Sequence, residues 1–180
     1  MDIYRLAGGI LLIVGGIADT AQMVVGRFVS TPASPAVIVL ITVGPTFLIA
    51  VGVLLLAPAV AGRARLGFVV AGVGALLLAV VNTVQIAAGS PLGPAPSQLA
   101  SLLSLAALTA GAALVFWSDS TGDPLRWTLA LPAIAAVLVL VSLFVFPWDG
   151  AHLLVPVAYA VSGALLLRPA SRAQRSLPAH

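Results

Sequence analysis

The sequence predicts an all-α membrane protein, a polytopic bundle of six transmembrane helices built as three hairpin repeats. Of its 180 residues, 61% are hydrophobic and only 7% are charged, and the mean hydropathy is +1.19. Soluble domains carry about 25% charged residues. Apolar runs long enough to cross a bilayer recur along the chain, and short segments rich in proline and glycine separate them. Together these observations indicate a membrane bundle.

Six apolar runs are each predicted to form a helix, because lipid offers no other partner for backbone N–H and C=O groups. A bilayer core about 30 Å thick needs roughly 20 residues per helix, and the sixth run is the shortest. The predicted helices span residues 3–25, 35–60, 66–88, 98–117, 125–146 and 151–167. Residues 1–167 therefore form one predicted transmembrane domain. The basic tail 168–180 is expected to be disordered or to lie on anionic headgroups.

The arginines predict the orientation. With both termini in the cytoplasm, only Arg27 faces outward, which is a strong positive-inside bias. The arginines on the predicted inner side are Arg5, Arg63, Arg65, Arg126, Arg168, Arg172 and Arg175. The Ala, Val, Leu, Gly and Arg content is typical of a high-GC bacterium, so the expected location is a bacterial inner membrane.

Glycines near the ends of the even-numbered helices suggest an internal repeat. Gly52, Gly111 and Gly163 each precede an apolar helix end, and they are 59 and then 52 residues apart. Three parallel copies of one hairpin would give a ring of six helices around a pseudo-threefold axis. The third copy is shorter and more divergent.

A short polar motif inside the apolar helices, here called the polar step, supports this repeat. The stretch ADTAQMVVG, residues 18–26, aligns without gaps with VNTVQIAAG, residues 81–89. The alignment pairs Asp19 with Asn82 and, three positions later, Gln22 with Gln85. Residues three apart share a helix face. We therefore expect the acid and its amide counterpart to meet at one level between the hairpins.

Asp19 is the acidic residue placed well inside an apolar run. A carboxylate near mid-bilayer costs about 2.5–3.5 kcal/mol, so it should face the bundle interior, be paired, or be protonated. Polar groups of other helices are expected at a similar depth. The candidates for binding a solute or a proton are Asp19, Gln22, Asn82, Gln85, Thr46 and Tyr159. Interhelical hydrogen bonding, about 0.6 kcal/mol per bond, is the alternative interpretation of these residues.

No enzymatic activity, cofactor or metal is expected. The chain has no cysteine, which excludes thiolate catalysis and cysteine metal sites. Its helices contain no Ser/His/Asp set and no H-E-x-x-H motif. His152 stands near Asp149 in an outer turn and is expected to be solvated. The net charge of +3 comes from arginines at segment ends and in the tail, so no nucleic-acid partner is expected.

Two resemblances involve the whole chain. The stretches Gly15-Gly16-Ile17, Gly52-Val53-Leu54-Leu55 and Ser162-Gly163-Ala164-Leu165-Leu166 resemble the HdeD-type acid-resistance membrane proteins. This resemblance implies a six-helix bundle without catalytic residues.

The stretches 8–15, 44–49 and 80–82 are similar to the urea/amide channels of the amidase-operon type, which also have three repeated hairpins. The chain departs from that family in having no glutamate, few pore aromatics and the opposite arginine orientation.

Two hypotheses follow from the sequence. The first is a stress-related or accessory membrane protein that acts by packing in the bilayer against a second copy or another membrane protein. The second is a channel or transporter for a small polar solute or protons. The two differ in whether Asp19 has a function beyond packing.

Overall fold

The computed structural model describes residues 2–25, 34–88, 94–118, 123–144 and 150–168. All six predicted helices are present within these ranges. They are α1 Ile3–Val25, α2 Pro35–Leu56, α3 Gly62–Ala87, α4 Pro94–Phe116, α5 Asp123–Phe144 and α6 Leu154–Leu167. The 3₁₀ turn Ala57–Ala59 follows α2, and the 3₁₀ turn Ala151–Leu153 precedes α6. Apart from Arg168, the predicted tail lies outside the described residues, as do Arg27 and Asp149.

Prolines explain where the predicted boundaries were wrong. Helix α4 begins at Pro94 rather than at residue 98, since proline is tolerated in a first turn, where the N–H has no intrahelical acceptor. Pro156 lies in the first turn of α6 for the same reason and does not interrupt that helix. Pro45 and Pro132, in contrast, lie inside α2 and α5.

Helices α1 to α5 are long and apolar enough to cross a membrane, and the shorter apolar segment Ala151–Leu167 completes the set. The outer surface of the bundle carries large apolar side chains, including Leu40 at 73% and Leu99 at 59% exposure. Soluble monomers rarely expose such continuous apolar surface. This arrangement is that of an integral membrane protein, in which lipid covers the outer face.

The helices form a closed ring in chain order. Each helix packs against the helices before and after it, and α6 packs against α1. Short connections make neighbouring helices antiparallel. One end of the ring, here called the arginine end, therefore carries the N-termini of α1, α3 and α5. Its described arginines are Arg5, Arg63, Arg65, Arg126 and Arg168. The opposite end is called the cavity end.

Glycines on two faces of α1 allow both of its neighbours to approach closely. A Cβ added at Gly8 would lie 2.9 Å from the Gly52 carbonyl oxygen of α2. A Cβ added at Gly163 of α6 would lie 2.5 Å from the Gly9 carbonyl oxygen. Side chains do not fit at such distances, so these helix pairs depend on glycine, as predicted for small residues in membrane interfaces.

Contacts between α1 and α2 return between α3 and α4 with a constant offset of 59 positions. In each case a glycine of one helix approaches the backbone of the other. The pairs are Gly8 with Gly52, Gly67 with Gly111, Gly15 with Pro45 and Gly74 with Ser104. The third glycine of the predicted repeat behaves differently, because Gly163 contacts α1 rather than α5. Three equivalent hairpins therefore stay a prediction.

The arginine end is filled by apolar side chains. Phe68 and Leu12 have no exposed surface, and residues of every helix pack around them. The other large apolar side chains with little or no exposed surface at this end are Val53, Leu56, Val115, Leu125, Leu129 and Leu166. The polar side chains of Thr128 and Ser162 are also fully buried there. This apolar core closes the interior of the ring at the arginine end.

Candidate functional site: a central polar cavity

A cavity of about 490 Å³ occupies the interior of the ring at the cavity end. All six helices line it, and α5 contributes only apolar side chains. The polar lining residues are Asp19, Gln22, Thr42, Thr46, Asn82, Ser101, Ser104, His152 and Tyr159. The apolar ones are Met23, Ile49, Ala75, Leu78, Leu105, Leu108, Ala136, Val139, Leu140, Val155 and Pro156. Five of the six candidates from the sequence therefore lie on one cavity.

Helix α1 brings two of these candidates to the cavity. Asp19 and Gln22 are three residues apart, so both point into the ring interior from the same helix face. Asp19 is half-buried. The Gln22 Oε1 atom is buried and accepts no hydrogen bond from the described residues. The lining of the cavity thus includes the Asp19 carboxyl group, and the Gln22 side chain beside it holds an enclosed amide oxygen with unused acceptor capacity.

Helix α3 supplies Asn82 but not the second predicted residue. Asn82 lines the cavity and is half-buried, whereas Gln85 is half-buried and is not among the lining residues. The polar step that relates Asp19 to Asn82 has an offset of 63, four more than the packing contacts. Asn82 therefore lies one helical turn, about 5 Å, farther toward the cavity end than the packing equivalent of Asp19. That turn carries Gln85 beyond the cavity.

The threonines of the polar step have a structural role. Thr20 donates to the Gly16 carbonyl oxygen at 2.7 Å, and Thr83 donates to the Ala79 carbonyl oxygen at 2.8 Å. Both bonds return to the same helix, four residues back, as is common for threonine in membrane helices. The repeated threonine thus satisfies its own hydroxyl and adds nothing to the cavity.

Thr46 and Tyr159 lie on the cavity as the sequence predicted. Tyr159 is 6% exposed and belongs both to the lining and to the apolar core, so it forms part of the cavity floor. Ile49, Leu108 and Ala136 share this position. The floor separates the polar interior from the side chains packed around Phe68.

His152, expected to be a solvated residue of the outer turn, lines the cavity. It lies in the 3₁₀ turn before α6 and is half-buried. A sequence signal for this position exists. His152 precedes Tyr159 by seven residues, two helical turns, so a helix over the predicted span 151–167 places both on one face.

The charges of the lining suit neutral or cationic molecules. Among the described residues, Asp19 is the acidic member of the lining, and no described arginine contributes to it. Hydroxyl and amide groups supply the remaining polarity. Within residues 2–25, 34–88, 94–118, 123–144 and 150–168, no three His, Cys, Asp or Glu residues stand close enough together to hold a metal ion. The cavity is therefore suited to hydrogen bonding and to weak charge attraction.

Comparisons with known proteins return no relative. No protein-family model, no curated protein and no solved structure matches this chain.

Proposed function

We propose that this protein binds a small polar molecule, neutral or cationic, in the central cavity and carries it across the membrane without chemical change. One observation carries the proposal. Helices with an apolar outer surface direct polar side chains of five different helices to a single interior cavity. Intramembrane polar groups that converge in this way are characteristic of solute and ion pathways.

Hydrogen bonding between helices accounts less well for the same residues. Interhelical bonding would use the acceptor of Gln22, yet its Oε1 atom is buried without a partner among the described residues. The hydroxyls of Thr20, Thr42 and Thr83 donate to carbonyls of their own helices. A ligand that donates a hydrogen bond would satisfy the glutamine.

The closed arginine end favours a transporter over an open channel. Phe68 and the side chains around it fill the ring interior below the cavity floor. Passage to the arginine end therefore requires these helices to separate. The positive-inside rule assigns that end to the cytoplasm, in a bacterial inner membrane. On this orientation the cavity receives its ligand from outside.

We include in this proposal that the chain arose from a repeated hairpin. The offset of 59 shared by the α1–α2 and α3–α4 contacts supports a common origin for these two hairpins. Helices α5 and α6 would be a third, diverged copy. Its glycine, Gly163, packs on α1 and closes the ring.

Uptake by reconstituted vesicles tests the function. The probes are methylammonium, tetramethylammonium, urea and acetamide, each offered separately to vesicles with the full-length protein and to vesicles without protein. We expect accelerated uptake of at least one probe. Asp19→Asn should reduce the uptake of a cationic probe at least tenfold, because it removes the carboxylate of the lining.

Asp2→Asn is the matched control, since Asp2 is an exposed carboxylate before α1, outside the cavity. It should leave uptake unchanged. Uptake no faster than in protein-free vesicles for all four probes would contradict the proposal. Equal uptake of a cationic probe by Asp19→Asn and the unmodified protein would contradict a role of Asp19 in the site. The accessory protein that acts only through packing would give no accelerated uptake at all.

A further inference from the structure

A groove lies beside the cavity, on the outer surface of the bundle. A groove of about 620 Å³ lies between α1 and α2 at the same end. Its lining residues are Ala18, Ala21, Gln22, Leu40, Ile41, Gly44, Pro45, Phe47 and Leu48. All of them except Gln22 are apolar. Leu40, Ile41 and Phe47 are strongly exposed, which places the groove on the face that lipid covers.

Gln22 connects this groove to the cavity, because its side chain lines both. The residue thus stands where an apolar surface open to lipid meets a polar interior. Its Oε1 atom is buried and has no partner among the described residues. A molecule at this junction could place an apolar part in the groove and donate a hydrogen bond to Gln22 once the side chain has turned its enclosed Oε1 atom toward the cavity.

Gly44 keeps the groove open. Every other glycine in the interior of a described helix has an atom of a neighbouring helix within 3.1 Å of an added Cβ. At Gly44 the nearest atom is Leu40 Cδ1, on its own helix, at 4.0 Å. No neighbour therefore requires a glycine there. Its missing side chain leaves space beside α2 instead of allowing close packing.

We infer that the ligand of this site is an amphiphile, with a hydrogen-bond-donating neutral or cationic polar group in the cavity and an alkyl part in the α1–α2 groove. This inference rests on the proposed function and names its substrate class. The polar group meets the Asp19 carboxylate and the Gln22 oxygen. The alkyl part meets the eight apolar groove residues. Such a molecule would reach the site from the bilayer, between α1 and α2.

A second groove provides an internal control. It lies between α2 and α3, has a volume of about 340 Å³, and is lined mainly by apolar residues. Val80 lines the α2–α3 groove but not the α1–α2 groove. None of the residues that line the α2–α3 groove lines the cavity. Alkyl chains should occupy both grooves. Only in the α1–α2 groove should occupancy depend on the polar group that the alkyl chain carries.

The test uses photo-crosslinking of the full-length protein in phosphatidylcholine vesicles. The probes are two twelve-carbon chains with a diazirine in the chain, one ending in an amine and one in a carboxylate. Crosslinked positions are mapped by mass spectrometry. We expect the amine to label the α1–α2 groove at least fivefold more than the carboxylate, and the two probes to label the α2–α3 groove equally.

Three variants locate the effect. Ala21→Phe fills the α1–α2 groove from an exposed position and should abolish the preference for the amine. Val80→Phe adds a similar ring to the α2–α3 groove and should leave that preference intact. Asp19→Asn should reduce the preference to less than twofold, because it removes the carboxylate from the described lining of the cavity.

The failure of this inference differs from the failure of the proposed function. Equal labelling of the α1–α2 groove by both probes, together with uptake of a small probe that depends on Asp19, would overturn the amphiphile and leave the transporter. An amine preference that survives both Ala21→Phe and Asp19→Asn would also overturn it. Selective labelling without uptake of any small probe would contradict transport of small polar molecules and leave the amphiphile as a bound ligand of the cavity.

Discussion

The two ends of this bundle are made by the same six helices but differ in their interior. At the arginine end, Phe68 and Leu12 lie at the centre with no exposed surface. At the cavity end, Asp19 and Asn82 line a cavity of about 490 Å³. The external surface is apolar at both ends. Thr128 and Ser162, which have no exposed surface, lie at the arginine end, so buried polar side chains are not restricted to the cavity end. The two ends differ instead in how completely their interior is filled, and we expect the filled arginine end to provide most of the stability.

Glycine provides a second contrast. Gly8, Gly67 and Gly111 bring backbones together, and an added Cβ at each would meet another helix. Gly44 has no such neighbour and borders open grooves. Close packing is therefore the usual role of a helix-interior glycine in this bundle, and Gly44 is the exception. Substitutions at Gly44 and at a packed glycine should consequently have opposite effects.

Removing the aromatic ring of Phe68, at the centre of the arginine end, should have the largest effect on stability. Large-to-small changes of a buried Phe cost about 3–5 kcal/mol in soluble cores, and packing also drives helix association in lipid. Phe68→Ala should therefore lower the unfolding free energy by about 3 kcal/mol, measured by thermal or denaturant unfolding in detergent. Phe47→Ala is the control, since Phe47 is 48% exposed. Equal losses in the two variants would contradict the assignment of stability to the arginine end.

Adding one methyl group should separate the two classes of glycine. In Gly111→Ala the new Cβ would lie 2.5 Å from the Gly67 carbonyl oxygen, so α3 and α4 must move apart. Overpacking of this kind costs about 1–3 kcal/mol. Gly44→Ala should instead stabilise by about 0.5–1 kcal/mol, because alanine is the better helix former and nothing obstructs it. Unfolding of both variants under the same conditions checks the signs, and a loss in both would be the contrary result.

Substitutions of the two glutamines of the polar step should differ in their effect on ligand binding and have similarly small effects on stability. Gln22→Leu should weaken binding of the probe that the vesicles take up about tenfold, since Gln22 lines the cavity. Gln85→Leu should change binding less than twofold, because Gln85 lies off the cavity. Either change should alter the unfolding free energy by less than about 1 kcal/mol. Calorimetric titration of purified protein measures the binding, and equal effects would support the predicted equivalence of the two residues.

The sequence predicted the helices well because the bilayer imposes length and polarity on them. The predicted span 3–25 coincides with α1, and all six segments are helical. The start of α4 was placed too late, because Pro94 resembles a linker residue although a first turn accepts it. Residues such as Asp19 and Tyr159 could be identified as candidates, since a polar group inside an apolar helix requires an interior position.

Register and empty space were not predictable from the sequence. The gap-free alignment of the polar step matched residue types, but the helix contacts follow an offset shorter by one turn. That turn separates Gln85 from the cavity that Asn82 lines. The apolar core below the cavity depends on which side chains meet across the ring. No periodicity within a single helix contains that information.

Cysteine accessibility tests the contrast between the ends most directly, because the chain has no cysteine of its own. Thr46 and Val53 lie seven residues apart on one face of α2, a separation of about 10 Å. Thr46 lines the cavity, and Val53 has no exposed surface. A water-soluble methanethiosulfonate applied to vesicles should modify Thr46→Cys at least a hundredfold faster than Val53→Cys. Equal rates, or a protected cysteine at position 46, would contradict a polar cavity above a closed apolar core.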